Sequence, residues 1–369
     1  MRCVLVLMVA LAATLVTAFP LSSDPPATIS ADLVAQIQEL SPGTTERDIR
    51  LVTMGMPEAQ VKAKIEAAIQ DGVDGFMPVY GTPPPPDVSQ LGESELDQLK
   101  KVAHYAGIAY CGDSESIMKW TCGTRCRDQI TNGTKTHGVY DVAGTFGYIS
   151  ERPSSKEIFV VFRGSANVRN WLDNFEMWQH EWPFQLAANK STNKVKVHKG
   201  FVDAYSNLRG AMTKSLRGLL TDTGKEDWTV VITGHSLGAA MATIAAVDLI
   251  SAGIGLDPAK VKLAVFHSPR VGNSEFSRLV SELGFAKVER VVQDNDIVAH
   301  VPGTWLGYEH IAGEKYVVYD QVYACEGTED PRCSASRFPV LNLMAHARFL
   351  DRRLFFGGLG GVKLPFFCD

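Results

Sequence analysis

The chain has 369 residues, a formal net charge of −5, 45% hydrophobic residues and 21% charged residues. That balance supports a full-sized globular core. It excludes a disordered polyelectrolyte and a polybasic nucleic-acid binder, since no basic block is present to neutralise phosphates.

Residues Val4–Val16 form an apolar run behind Arg2 and end in Thr17-Ala18 before Phe19-Pro20. Basic start, short apolar centre and small residues at the cut predict a secretory signal peptide over residues 1–18, and so a secreted, extracellular protein. The run is shorter than the roughly 18–20 apolar residues of a membrane-spanning helix, and no later segment reaches that length, so no transmembrane segment is expected. Residues 19–90 contain no Cys and carry two helix-like stretches, Ala31–Leu40 and Pro57–Gln70, the second with Val61, Ile65, Ala68 and Ile69 at helical spacing. Gly81-Thr82-Pro83-Pro84-Pro85-Pro86 then reads as a stiff linker. Two short amphipathic helices bury little by themselves. They are expected to pack on the downstream domain as a propeptide; the alternative is a permanent N-terminal extension.

From residue 91 to residue 369 the pattern alternates. Ser94–Ala109 reads as a helix, Val139–Ser150 and Glu157–Phe162 as strands, and Phe201–Leu220 as a helix. Trp228–Thr233 is a short β-rich run leading into the apolar helix Leu237–Ile250, and Lys260–His267 and Val288–Gln293 are further strands. Strands alternating with helices predict one α/β domain with a mostly parallel central sheet.

Of 7 Cys, Cys3 falls in the signal peptide, and an even number remains. In an exported chain these read as disulfides. Short spacing suggests Cys122 with Cys126 and Cys325 with Cys333, which leaves Cys111 with Cys368. A zinc site at Cys122 and Cys126 is disfavoured by the lack of a second Cys or His pair nearby, so no metal is expected. Asn132-Gly133-Thr134 and Asn189-Lys190-Ser191 are sequons that predict N-glycans on Asn132 and Asn189 in a secreted chain.

The chemistry centres on Gly234-His235-Ser236-Leu237-Gly238. A Gly-x-Ser-x-Gly match alone is weak. Here Val230, Val231 and Ile232 end a strand and Gly238-Ala239-Ala240-Met241-Ala242 open a helix, which sets Ser236 on a sharp strand-to-helix turn. The helix start behind it offers free N–H groups to a developing oxyanion, with Leu237 as one donor. A serine needs a base and an orienting acid. Asp294 and Asp296 follow the strand Val288–Gln293, and periodicity does not separate them; Asp320, Asp330 and Asp351 lie further on. His300, His310 and His346 are the downstream bases, and order alone leaves all three open.

With these motifs assembled, the chain resembles the filamentous-fungal triacylglycerol lipases of the Rhizomucor and Rhizopus kind, the class 3 lipases, over roughly residues 92–369. The matching stretches are Phe162-Arg163-Gly164-Ser165-Ala166-Asn167-Val168-Arg169-Asn170-Trp171, Val197-His198-Lys199-Gly200-Phe201, Ile232 to Gly238, Pro269-Arg270-Val271-Gly272, Asp296-Ile297-Val298 with His300-Val301-Pro302, and His346 shortly before a final Cys. The resemblance implies an α/β-hydrolase fold with a helical lid. It implies Ser236, His346 and Asp296 as nucleophile, base and acid, Ser165 and Leu237 as oxyanion donors, and the disulfide pairing that spacing suggests. Catalysis through an acyl-enzyme requires no cofactor.

Val168 to Trp182 mixes large apolar residues with charges directly after Ser165. By itself this reads as a surface helix. By resemblance it is the lid, with Trp171, Phe175 and Trp178 covering the site and meeting lipid when it opens. The expected partner is a lipid ester at an oil–water or membrane interface, met by a monomeric enzyme. Ala299 and Ala347 depart from the Pro and the bulkier apolar residue usual in the family. Feruloyl esterase and phospholipase A1 activity are the alternatives within the family, and a non-catalytic lipid-binding homologue is the alternative outside enzymes.

Overall fold

The computed structural model describes residues 29–40, 44–70, 84–165, 167–173, 177–186, 193–222, 224–337, 343, 345–350 and 352–353. The expected signal peptide, Phe175, Asn189, Asp351 and Cys368 lie outside the described residues, and Cys111–Cys368 with them.

Three helices come first: α1 (Ala31–Leu40), α2 (Glu46–Thr53) and α3 (Glu58–Gln70). The first and third match the sequence pattern. The second was not expected. Its signal is polar rather than periodic: Thr45 and Asp48 cap each other's backbone N–H groups in a capping box. Next come α4 (Glu93–Ile108), α5 (Ser114–Met118) and α6 (Thr124–Arg127), then β1 (Lys135–Val142), β2 (Thr145–Arg152) and β3 (Glu157–Phe162). The single strand expected over Val139–Ser150 is therefore a hairpin. Ala143 and Gly144, with φ of 49° and 77°, make the tight turn that folds it back. The chain continues through α7 (Val168–Asp173), β4 (Gln179–Glu181), β5 (Lys196–His198), α8 (Lys199–Leu220), β6 (Thr229–His235), α9 (Leu237–Ser251), β7 (Val261–Phe266), α10 (Ser274–Glu282), β8 (Lys287–Gln293), β9 (Glu314–Val318) and β10 (Gln321–Ala324). A last two-stranded ribbon pairs β11 (Arg348–Phe349) with β12 (Arg352–Arg353).

The main sheet runs β1-β2-β3-β6-β7-β8-β9-β10. Its centre, from β3 to β9, is parallel, and antiparallel partners close both ends. The edge strand β10 is covered in turn: the chain leaving the Pro-rich linker pairs Gln90 with Tyr323, and Leu91 N–H donates to Val322 O. Alternation along each central strand divides the core. Ile158, Val160, Phe162, Val230, Ile232, Leu263 and Val265 face α8 and α9, whereas Phe159, Val161, Val231, Ala264 and Phe266 face α4. Two disulfides are formed, Cys122–Cys126 and Cys325–Cys333, as spacing suggested.

A third cluster joins the leader to the domain. Ile49, Val52, Met56, Val61 and Ile65 pack with Val168 and Leu172 of α7 and with Ile297, Val298 and Val301.

Ile232 is fully buried under α9, in the strand that carries the turn to Ser236. Ile232→Ala should lower the unfolding free energy by about 3 kcal/mol. A chemical-denaturation midpoint unchanged from wild type would count against this packing.

Candidate active site

The carboxyl ends of β3, β6, β7 and β8 lie side by side, and each delivers one part of the site, as ligand sites in open α/β sheets generally require. At β6 the chain turns sharply. Ser236 sits at φ 61° and ψ −127°, a conformation a residue with a side chain adopts only when its surroundings impose it. Those surroundings are visible. A Cβ on Gly234 would lie 2.3 Å from Gly238 O, and one on Gly238 would lie 2.3 Å from Phe162 O, so only glycines let strand, turn and helix touch. Ser236 N–H donates to Phe266 O at 3.0 Å, which anchors the turn to β7.

The loop after β3 crosses the same spot. A side-chain carbon on Gly164 would fall 2.9 Å from Ser236 Cβ, which sets Ser165 at the rim of the site. Leu237, the first residue of α9, begins a helix whose leading N–H groups have no intrahelical acceptor. The loop carrying Ser165 and the start of α9 at Leu237 thus border Ser236.

After β8, Asp296 is fully buried. Its Oδ1 and Oδ2 lie 3.1 and 2.9 Å from His346 Nδ1, its Oδ2 lies 2.8 Å from His267 Nδ1, and its Oδ1 accepts from Val298 N–H at 2.9 Å. Burial works to raise the carboxyl pKa, but the charge interaction with His346 and the hydrogen bonds from His267 and His346 outweigh it, so Asp296 is held well below the ordinary carboxylate range and stays ionised. Asp294 is directed elsewhere, accepting from Gln293 Nε2 at 2.9 Å. Asp330 is engaged by Arg332, and Asp320 is exposed.

His346 arrives on a 3₁₀ turn, Ala345–Ala347, just before β11. Its loop is pinned twice: Leu350 N–H donates to Gln293 Oε1 at 2.8 Å, and Phe349 meets Phe266 edge-on at 5.4 Å. The His346 ring packs 4.6 Å from that of His235, the residue before Ser236. Ser236 Oγ and His346 Nε2 are both buried and have no hydrogen-bond partner among the described residues. No hydrogen bond is closed between the two groups, as is common before substrate arrives. His300 turns its ring to Asp296 O and Ser334 O, and His310 turns to Ala299 O, so both are engaged with backbone.

Two further residues were not anticipated. His267 follows β7, and its only sequence signal was its position at the end of a parallel strand. Tyr110, at the end of α4, carried none. Its hydroxyl bonds His235 Nδ1 at 2.8 Å and accepts from Gly164 N–H at 2.9 Å, while His235 Nε2 lies 2.8 Å from His346 O. This network assigns the His235 proton to Nε2, with Tyr110 donating to Nδ1. One chain of hydrogen bonds thereby joins the His346 backbone to the loop after β3. Burial, reinforced by the neighbouring His346 and His267, holds His235 well below the usual histidine range, and burial lowers His267 despite its bond to Asp296.

In α7, Val168 and Leu172 are buried, and Trp171 stacks on Phe201 at 6.2 Å. Trp178 is 63% exposed, so it faces solvent rather than being tucked over Ser236. Asn132 is exposed on a turn.

Fold and site together define an α/β hydrolase. The profile described as "Lipase (class 3)" matches residues 159–305, the stretch from β3 to the loop after Asp296. Rhizomucor miehei lipase is 28% identical over 324 residues, spanning 84% of each chain. The solved structure of Rhizomucor miehei triacylglyceride lipase aligns with a TM-score of 0.64 at 25% identity, covering 73% of this chain and 98% of that one. A Rhizomucor miehei lipase propeptide complex aligns with a TM-score of 0.63 at 25% identity, covering 73% and 83%. The chain is similar to the class 3 lipases over residues 159–305 and is a carboxylic ester hydrolase.

The buried titratable groups make stability pH-dependent with a definite sign. His235 and His267 have folded pKa values below the ordinary 6.5, and Asp296 lies below 3.8, so in acid the unfolded chain binds more protons than the folded one. Their stabilising contribution is complete above about pH 7 and is lost as pH falls below 6.5 and then below 3.8. The melting temperature should drop steadily from pH 7 to pH 4. A Tm that stays level or rises over that range would contradict the neutral, buried state of the two histidines.

Proposed function

We propose that the chain is a secreted triacylglycerol lipase acting through Ser236, His346 and Asp296. The observation that carries this reading is the His346 Nδ1 contact with the buried Asp296 carboxylate, with Nε2 left unengaged and the ring packed 4.6 Å from that of His235, the residue before Ser236. Asp296 keeps the His346 proton on Nδ1, so the Nε2 lone pair is free to take the Ser236 proton as the hydroxyl attacks an ester carbonyl. The oxyanion forms between the N–H groups of Leu237 and Ser165, and each such donor lowers the barrier by roughly 3 kcal/mol. His346 then returns the proton to the departing alcohol. Water, activated by the same base, cleaves the acyl-enzyme and frees the fatty acid.

The substrate class is supported by the segment after Ser165 and by the Rhizomucor miehei relative, a triacylglyceride lipase. In this reading α7 is part of a lid that lifts at a lipid surface, bringing Trp171 to the interface beside the already exposed Trp178. Residues 19–90 act as a propeptide. The support is that α1 to α3 share one apolar cluster with Val168 and Leu172 of α7, so the leader covers the same helix that must move. Cleavage after Ala18, glycans on Asn132 and Asn189, and a monomeric extracellular enzyme complete the reading.

The test is hydrolysis of emulsified triolein by wild type, Ser236→Ala and His346→Ala, with tributyrin, phosphatidylcholine and methyl ferulate in parallel. Both variants should stay folded and lose activity by a factor on the order of 10⁴ or more. Wild-type rates should jump once triacylglycerol exceeds its solubility. Normal activity in Ser236→Ala would end this reading, and preference for phosphatidylcholine or methyl ferulate would move the substrate to another branch of the family.

A further inference from the structure

His267 stands outside the three-residue relay, yet its side chain bonds the same carboxylate. His267 Nδ1 lies 2.8 Å from Asp296 Oδ2, the oxygen that His346 Nδ1 also contacts, at 2.9 Å. The His267 ring is completely buried. Its backbone sits at φ 56°, in the left-handed region that a bulky residue enters only at a cost, and its N–H is tied to Val291 O at 2.8 Å. A strained backbone that aims a buried imidazole at one carboxylate oxygen points to a role for that imidazole.

On the reading that His346 and Asp296 serve Ser236, we propose that His267 is a positioning residue that donates its Nδ1 proton to Asp296 and so lowers the basicity of His346, keeping the base unprotonated to lower pH. The reasoning is a competition for one acceptor. The Asp296 carboxylate stabilises the imidazolium form of His346, and a second donor on Oδ2 draws off part of the charge that does so. Burial lowers the pKa of His267, and because an ionised carboxylate only accepts, the Nδ1 facing Asp296 is the nitrogen that carries the proton. The second bond also holds the carboxylate plane, and hence the direction in which His346 points.

Other titratable groups around the cluster are accounted for. His235 lies 4.6 Å from the His346 ring and 5.3 Å from the His267 ring, and is neutral through burial. Tyr110 bonds the far side of His235, and His300 reaches only the Asp296 backbone oxygen. Arg270 is directed to Glu329 and to the carbonyls of His300 and Pro302, and Arg348, in β11 just after the His346 turn, meets the His267 ring through its backbone.

The experiment follows kcat/KM against pH on a soluble short-chain ester for wild type, His267→Asn and His267→Phe, with Ser236→Ala as the inactive control. The Asn side-chain nitrogen stands the same number of bonds from Cα as Nδ1, and Asn tolerates positive φ, so the donor is kept. Phe fills the ring space without a donor. The acid limb of the Phe variant should move up by roughly half a pH unit or more, with KM little changed, while Asn keeps the wild-type limb. His267→Gly replaces Phe if that variant fails to fold, with the same expected shift. An unmoved limb in the donorless variant overturns the proposal, and so does an Asn variant shifted as far as Phe. Activity surviving in Ser236→Ala would instead sink the underlying relay, which keeps the two failures distinct.

Discussion

A carboxylate with no exposed surface must be paired, and Asp296 is such a group. Isolated, its charge would cost so much that the carboxyl would simply protonate. Here two imidazole nitrogens and the Val298 N–H meet its two oxygens. That demand for partners draws together pieces from distant parts of the chain: the residue after β7, the loop after β8 and the 3₁₀ turn of His346. The placement of His346 and His267 at the strand ends depends on this one buried charge.

Ser236 itself is held by packing rather than by charge. The parallel core β3-β6-β7-β8 aligns its carboxyl ends, so the turns after these strands share one surface. Gly234 and Gly238 let β6 bend straight into α9 at Ser236, and the bond to Phe266 O prevents the turn from rotating away. His235 then links the two halves. Its ring joins the His346 backbone on one side and, through Tyr110, the Gly164 N–H on the other. His346 and the loop after β3 are thereby set by the same hydrogen-bonded unit.

Much of this was legible in the sequence wherever one periodicity dominated. The amphipathic spacing of α4 and α8 and the β-rich run entering the Ser236 turn left little choice. Legibility failed where local polar chemistry decides. The α2 helix rests on the Thr45–Asp48 capping box, and the β1–β2 hairpin rests on two left-handed residues within what reads as a continuous strand. β9 and β10 give little signal because they are short, with Glu314 and Lys315 opening the first and Gln321 the second, and, tyrosines aside, neither has a run of apolar residues longer than two. At the site, Asp294 and Asp296 are two residues apart in a bend, and no periodic rule separates them; resemblance implied Asp296, which in the fold is the one that contacts His346. His267 was invisible because a lone histidine at a strand end says nothing until the carboxylate opposite is known.

The central claim is that Ser236 is a nucleophile activated by His346. Its most direct measurement is stoichiometric labelling with a fluorophosphonate, followed by mass mapping of the modified peptide. One phosphonyl group should appear on Ser236, in step with loss of esterase activity, and labelling should vanish in a folded His346→Ala variant. A label on another residue, or an active enzyme that takes up no label, would contradict the account.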